Sequence, residues 1–340
     1  MSKVTIYDIS KKLNISAATV SRALNNNPKI SPKTRELVLK TAAEMNYEQN
    51  TLALALKSGK SNTVGILVPY VDRNFFSSVI RGIEEELYPH GYHVIICQTR
   101  DDAQSEVQNI NTLLNAQVDG IFMSVSKTTK DTSHIDRVLQ KKIPLVFFDR
   151  KKNIPGVSSV TIDDLNGAYM SVEHLIRQGC KQIAHFMGDI NLEIYKNRYN
   201  GYLKALTDYN LPFNKDYVIR TNSKAESGTA AVKKLMRLPS PPDAIFSSSD
   251  FTALGAIQEL KKNGIRVPED ICISGFSNEP FTQYTDPTMT TVDQTPIKMG
   301  KMAAQVFLEQ MGGEISVALE KKVVLSPQLV VRDSTNRSMG

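Results

Sequence analysis

Residues 16–25 read SAATVSRALN, a short run whose residue types suggest contact with a polar, charged surface. Ala17 and Ala18 are small enough to let a helix approach closely. Arg22 offers a planar guanidinium that can fork onto guanine O6 and N7 in a major groove about 12 Å wide. Ser16, Ser21 and Asn25, together with Thr5 and Tyr7 upstream, carry hydroxyl and amide groups expected to anchor phosphate oxygens.

A second set of groups lies farther along, just past apolar runs that read as strands. Arg73, Asn74, Phe75 and Phe76 follow the first run, Ser124 follows the third, and Asp149 and Arg150 follow PLVFF. Arg198 stands in KNRYNGY, Ser249 and Asp250 follow AIFSS, Ser277 follows ISGF, and Gln294 comes last. Guanidinium, carboxylate and hydroxyl groups facing aromatic rings suit a small polyhydroxy or anionic ligand, giving bidentate hydrogen bonds at its edges and apolar surface for its faces. For Asp149 and Arg150 an ion pair between two parts of the fold is the structural alternative.

Catalytic patterns are missing. The sequence has no GxGxxG, P-loop, HExxH or GxSxG, so an enzyme of the doubly wound class lacks its phosphate loop or paired acid and base. His90, His93, His134, His174 and His185 are scattered, and the first two read as solvated turn residues rather than a metal site. The run Glu84–Glu86 reads as a solvated helix face. Cys97, Cys180 and Cys272 are odd in number and far apart, which fits a reduced compartment. No cofactor or metal is expected. The N-terminal residues lack a signal-peptide apolar core, and no apolar run approaches the ~18 residues of a membrane span, so the cytoplasm is the expected location.

The elements that must carry these groups follow from spacing. Thr5 and Asp8 form a capping box for a helix to about Lys12, with Ile6, Ile9 and Leu13 on its apolar side. Ser16 caps a second helix with Val20 and Leu24 inward. Ser31 and Pro32 start a third, with Leu37, Val38, Ala42 and Met45 as its expected stripe. This is a helix-turn-helix in a three-helix head. From Thr63 short apolar strands alternate with amphipathic helices, and a second such series begins near Val160, predicting two α/β lobes with parallel sheets and a cleft at the strand ends.

The charge divides the same way. Of 340 residues, 41 are Lys or Arg and 35 are Asp or Glu, a net +6; residues 1–60 hold ten basic and four acidic residues, leaving 31 of each in the remainder. The whole surplus sits in the head, which points to a polyanion partner, nucleic acid before membrane.

The run VTIYDISKKLNISAATVSRALNNNPKISPKTRELVLKTAAEMNYEQN resembles the head of the LacI/GalR family of bacterial transcription regulators, and the similarity continues to about Arg332. The resemblance implies an all-α helix-turn-helix head plus an α/β body of two doubly wound parallel-sheet lobes of periplasmic-binding-protein type. It implies a DNA-binding domain at 1–48, a hinge helix and linker at 49–62, and an effector-binding and dimerisation domain at 63–340. Within that last domain, lobe one spans about 63–160 and lobe two about 161–290, with crossings near Val160, Met289 and the final strand.

It further implies a homodimer on a near-palindromic operator, with Leu56 wedged into the minor groove and Ala53 lying against it. Gln49 and Leu54 depart from the proline and arginine common there, leaving the hinge fewer charge contacts. Arg198 matches the family arginine that reaches the effector. Ser277 replaces a common aspartate, and Ser223 stands where some members stack an aromatic ring. With exposed Arg73, these departures shift weight from a neutral sugar to a phosphorylated or anionic one. The expected function is a ligand-controlled repressor. Alternatives are a global regulator with a protein co-regulator, and a transport binding protein, which would need a signal peptide and have no use for residues 1–60. No leucine-heptad tail follows Arg332, which favours a dimer over a tetramer.

Overall fold

The computed structural model describes residues 4–48, 60–312 and 320–337. The chain divides into two compact units, Met1–Ser61 and Asn62–Gly340. Gln49, Ala53, Leu54 and Leu56 lie outside the described residues.

In the first unit, α1 (Ile6–Leu13), α2 (Ala17–Leu24) and α3 (Pro32–Glu44) start where local chemistry dictates. The Thr5 N–H donates to Asp8 Oδ2 at 2.8 Å, completing the capping box, and Asn14 ends α1 in the left-handed region at φ 53°. Ser16 and Ser31 each accept from the backbone N–H three residues on, at 3.1 and 3.2 Å. Ile9, Val20, Ala23, Val38 and Ala42 close the small core. Leu37, expected in that core, is 49% exposed, and Thr41 is buried in its place with Oγ1 donating to the Leu37 carbonyl. The reason is helical phase: 38, 41, 42 and 45 share one face, and residue 37 lies about 100° round from 38.

The second unit holds two six-stranded sheets among the described residues. In one, β1 (Thr63–Val68) lies next to the edge strand β2 (His93–Gln98), and β3 (Gly120–Met123), β4 (Leu145–Phe148), β5 (Ser158–Ile162) and β11 (Lys322–Leu325) follow in that order on its other side. The other runs β12 (Gln328–Val330), β10 (Thr290–Asp293), β9 (Cys272–Phe276), β8 (Ala244–Ser247), β6 (Ile183–Met187), β7 (Val218–Arg220). All pairings are parallel except β10 with β12. The three-residue edge strand β7 had no counterpart in the sequence reading.

The lobe limits differ slightly from expectation. β5, assigned from sequence to the start of the second series, pairs with β4 and so completes the first sheet; the chain crosses after it, at Asp163. It crosses back after β10, at Gln294 and Thr295, and a third time at Ser326 and Pro327. Lobe one is therefore completed by the helix Pro296–Gly312 and β11. That helix packs on the helix Asn74–Leu87 at very short range: a Cβ on Gly82 would lie 2.2 Å from the Ile297 carbonyl, and one on Gly300 2.1 Å from the Val79 carbonyl. No larger residue fits at either position without separating the helices.

Candidate functional site

On the head, the helical spacing of α2 brings Ala18, Arg22 and Asn25 to one exposed side, with Ala17 and Ser21 half-buried at its border. Asn25 Nδ2 donates to the Ser21 carbonyl at 2.8 Å, and Ser16 Oγ lies 2.9 Å from Thr19 Oγ1. Tyr7 is 66% exposed on α1. Thr5 Oγ1 donates to Asp8 Oδ2 at 2.7 Å, and this hydrogen bonding holds the Asp8 carboxyl below its ordinary range. The Thr5 hydroxyl proton is thus engaged within the capping box.

Between the lobes of the body lies a cavity of about 230 Å³, lined by Asp149, Arg150, Lys151, Lys152, Asp164 and Asn197 among others. Asp149 follows β4 in a left-handed conformation, φ 58°, which turns its carboxylate beneath the strand end. Ser124 Oγ donates to it at 3.4 Å, and burial pushes its pKa up against the pull of Arg150 and Arg198. Arg150 pairs at 2.5 Å with Asp101 of its own lobe, so the ion pair that spans the cleft is instead Lys151 with Glu193, at 3.4 Å. Burial opposes the Arg150 charge, but Asp101 and Asp149 outweigh it and raise its pKa.

Arg198 is 3% exposed. Its Nε donates to Asp164 at 2.7 Å, Nη1 to the Ser248 carbonyl at 2.9 Å and Nη2 to Gln294 Oε1 at 3.2 Å, while its guanidinium carbon lies 3.7 Å from the centre of the Phe276 ring. Gln294 passes the chain on by donating to Ser277 Oγ at 2.9 Å. Asp164 is pushed up to about 6, because burial outweighs its bond to Arg198.

The expected ligand groups thus fall in three layers. Asp149 and Arg150 line the cavity, while Ser124, Arg198 and Gln294 form the hydrogen-bonded layer behind it. Ser277 lines a separate hollow with Asn74 and Lys298. Phe75 and Phe76 are buried in the lobe-one core, their rings edge to face at 5.1 Å. Asp250 departs most from expectation: it is fully buried, Oδ1 accepting from Thr291 Oγ1 at 2.6 Å and Oδ2 from the Glu279 N–H at 2.8 Å. Those bonds use its carboxylate to brace the strand ends. Arg73 lies over the Phe251 ring at 4.0 Å, and Ser223 Oγ lies 3.0 Å from the Tyr195 hydroxyl.

Sequence reasoning missed Asp101, Asp164 and Glu193. The first two stand in TRDD and TIDD immediately after strands, a signal of the same kind as that used for Asp149. Among the described residues, no cluster of His, Cys, Asp and Glu could hold a metal ion, and no helix is long and apolar enough to cross a membrane.

Residues 5–50 match the family described as "Bacterial regulatory proteins, lacI family", and residues 61–337 match "Periplasmic binding proteins and sugar binding domain of LacI family". The chain belongs to the LacI family. Among its LacI-family relatives, the NTD biosynthesis operon regulator NtdR of Bacillus subtilis (strain 168) is 34% identical over 332 residues, covering 97% of this chain and 99% of that protein. The HTH-type transcriptional repressor CytR of Escherichia coli (strain K12) is also 34% identical, covering 97% and 96%. Among solved structures, the lac repressor dimer bound to operator and the anti-inducer ONPF superposes with a TM-score of 0.87 at 25% identity, over 98% of this chain and 99% of that one. A LacI-family member of this kind is a DNA-binding transcriptional regulator and not an enzyme.

Proposed function

We propose that the protein is a repressor that binds a near-palindromic operator as a cytoplasmic homodimer and is controlled by a small ligand held between the lobes. The observation that carries this reading is the pairing of a basic helix-turn-helix head with a body that holds a charged cavity between its two lobes. Thr5, Tyr7, Ser16, Ser21 and Asn25 serve as backbone contacts, Ala17 and Ala18 as the approach surface and Arg22 as the base reader, with Ala53 and Leu56 in the minor groove.

The ligand is a sugar or phosphorylated sugar. Guanidinium, ammonium and amide donors from Arg150, Lys151, Lys152, Asn153 and Asn197 suit phosphate and hydroxyl oxygens, and Asp149 and Asp164 suit hydroxyl donors. A cavity of about 230 Å³ favours a monosaccharide. The ligand changes operator affinity only through its differential affinity for two arrangements of the lobes, and a coupling of about 1–3 kcal/mol is typical.

Two measurements test the reading. Sites selected from random DNA by the full chain are expected to share a symmetric motif, bound with a steep salt dependence that residues 61–340 alone lack. A thermal-shift screen with ribose, cellobiose, glucose 6-phosphate and adenosine is expected to raise the melting midpoint with a sugar or its phosphate. Equal DNA binding by residues 61–340 would refute the assignment of the head.

A further inference from the structure

The lobes touch at two places, and the two contacts differ in kind. On the cavity side, Lys151 reaches Glu193 with side chains 20% and 48% exposed. Such a pair is screened by salt and gives way readily. At the second contact, Arg73, the residue preceding the helix Asn74–Leu87 of lobe one, lays its guanidinium 4.0 Å from the centre of the Phe251 ring of lobe two. That ring is held by the edge of Phe281, 5.0 Å away at 62°, so the platform belongs wholly to lobe two. Glu279 of lobe two, only 6% exposed, faces both Arg73 and the Asn74 N–H at the start of the lobe-one helix.

We propose that Arg73 is a latch: seated on the Phe251 ring and facing the Glu279 carboxylate, it holds the lobes together without ligand, leaving the Lys151–Glu193 side as the way into the cavity. A guanidinium suits this role because it stacks flat on a ring and sheds water more readily than an ammonium. Glu279 makes the same case from the other partner. Burial, with Asp250 beside it, pushes its carboxyl up to about 7, and Arg73 and the Asn74 N–H are the groups that favour its charged form. The sequence placed Arg73 among the ligand groups. As a latch it is instead a partner of the opposite lobe, and it is not one of the residues that line the cavity. This inference rests on the proposed ligand-controlled reading only for the purpose of opening, not for the contact itself.

The test uses the ligand-free full chain and no DNA, so its outcome is separate from that of the regulatory reading. Spin labels are attached at Lys130→Cys in lobe one and Lys224→Cys in lobe two, both exposed positions, in a Cys97→Ser background where buried Cys180 and Cys272 stay unlabelled. Labelled protein is diluted with unlabelled chain so that pulsed dipolar spectroscopy reads intrachain distances. The parent is expected to give one narrow distribution. Arg73→Ala and, independently, Phe251→Leu are each expected to increase a longer-distance population at least tenfold, and Lys151→Ala is expected to leave the distribution unchanged. Parent-like distributions in both Arg73→Ala and Phe251→Leu would overturn the latch, and lobes opened by Lys151→Ala as far as by Arg73→Ala would overturn the assignment of the two sides.

Discussion

Asp164 accepts a 2.7 Å hydrogen bond from Arg198 Nε, and this bond joins the effector cleft to the chain crossings. Asp164 stands immediately after the first crossing, and Gln294, which accepts from the same guanidinium, begins the second. One arginine therefore ties together two of the three segments about which the lobes can turn. A ligand that draws on Arg198 also acts on the segments that set lobe geometry.

Arg198→Ala leaves the Asp164 carboxylate buried without its partner, at 4% side-chain exposure. The expected loss of stability is about 3–5 kcal/mol, and Asp164→Asn, which leaves the equally buried guanidinium without its carboxylate, is expected to be destabilised as well. Urea unfolding of the two variants beside wild type measures this.

Arg22→Ala is expected to relax base preference at a loss of about 1–3 kcal/mol per half-site, without altering the melting of the head, since the side chain is exposed. Lys29→Ala, on the loop before α3, is expected to weaken all sequences alike. Selection from a random pool distinguishes the two, and an unchanged motif from the Arg22 variant would remove that residue from base reading.

Gly82→Ala forces a methyl group to within 2.2 Å of the Ile297 carbonyl, a backbone atom that cannot swing aside. Overpacking of this kind is expected to destabilise by about 1–3 kcal/mol or more. Because the disturbed helix pair includes the helix that starts at Asn74, the same variant is expected to broaden the interlobe distance distribution. Gly91→Ala is the contrasting control: its Cβ would meet open space, and only the left-handed backbone, φ 77°, is strained.

Asp250 offers a test by pH. Burial raises its folded-state pKa to about 6 from 3.8, so between these values the native state binds more protons than the unfolded chain. Its contribution therefore favours folding as pH falls through 6, and is lost as pH rises. Asp250→Asn removes that term. The stability gap between variant and wild type is expected to widen by about 1 kcal/mol on going from pH 7.5 to pH 5, as read by urea unfolding at the two pH values. A constant gap would show that Asp250 does not titrate in this window.

The parts of this molecule that were legible in its sequence are those determined within a few residues. The Thr5 and Asp8 capping box, the Ser16 cap and the alternation of strands and helices depend on neighbours along the chain. Leu37 was misjudged because two adjacent leucine and valine positions differ by 100° of helical phase, and only the packed head shows which one turns inward. The lobe to which β5 belongs is a matter of which strand it pairs with, and the five residues SSVTI carry no record of that. For the site, strand-end position located Asp149 and Asp250 alike, yet one faces the cavity and the other is turned inward by Thr291 and the Glu279 N–H. The difference lies in side-chain direction, which depends on residues more than twenty positions away.

The second crossing, at Gln294 and Thr295, delays the completion of lobe one as the protein is made. Lobe one begins at Thr63, but its helix Pro296–Gly312 and edge strand β11 are translated only after the whole stretch from Asp164 to Asp293 has emerged. At about 5–20 residues per second, the first-made half waits on the order of ten seconds with the apolar flank of its sheet and of the helix Asn74–Leu87 uncovered. Lobe two is the more nearly finished body at that stage, needing only β12 and the residues that follow it. The nascent regulator is thus expected to present chaperone-binding surface in its first lobe, and a ribosome stalled before residue 296 is expected to carry a chain whose second lobe resists protease while its first does not.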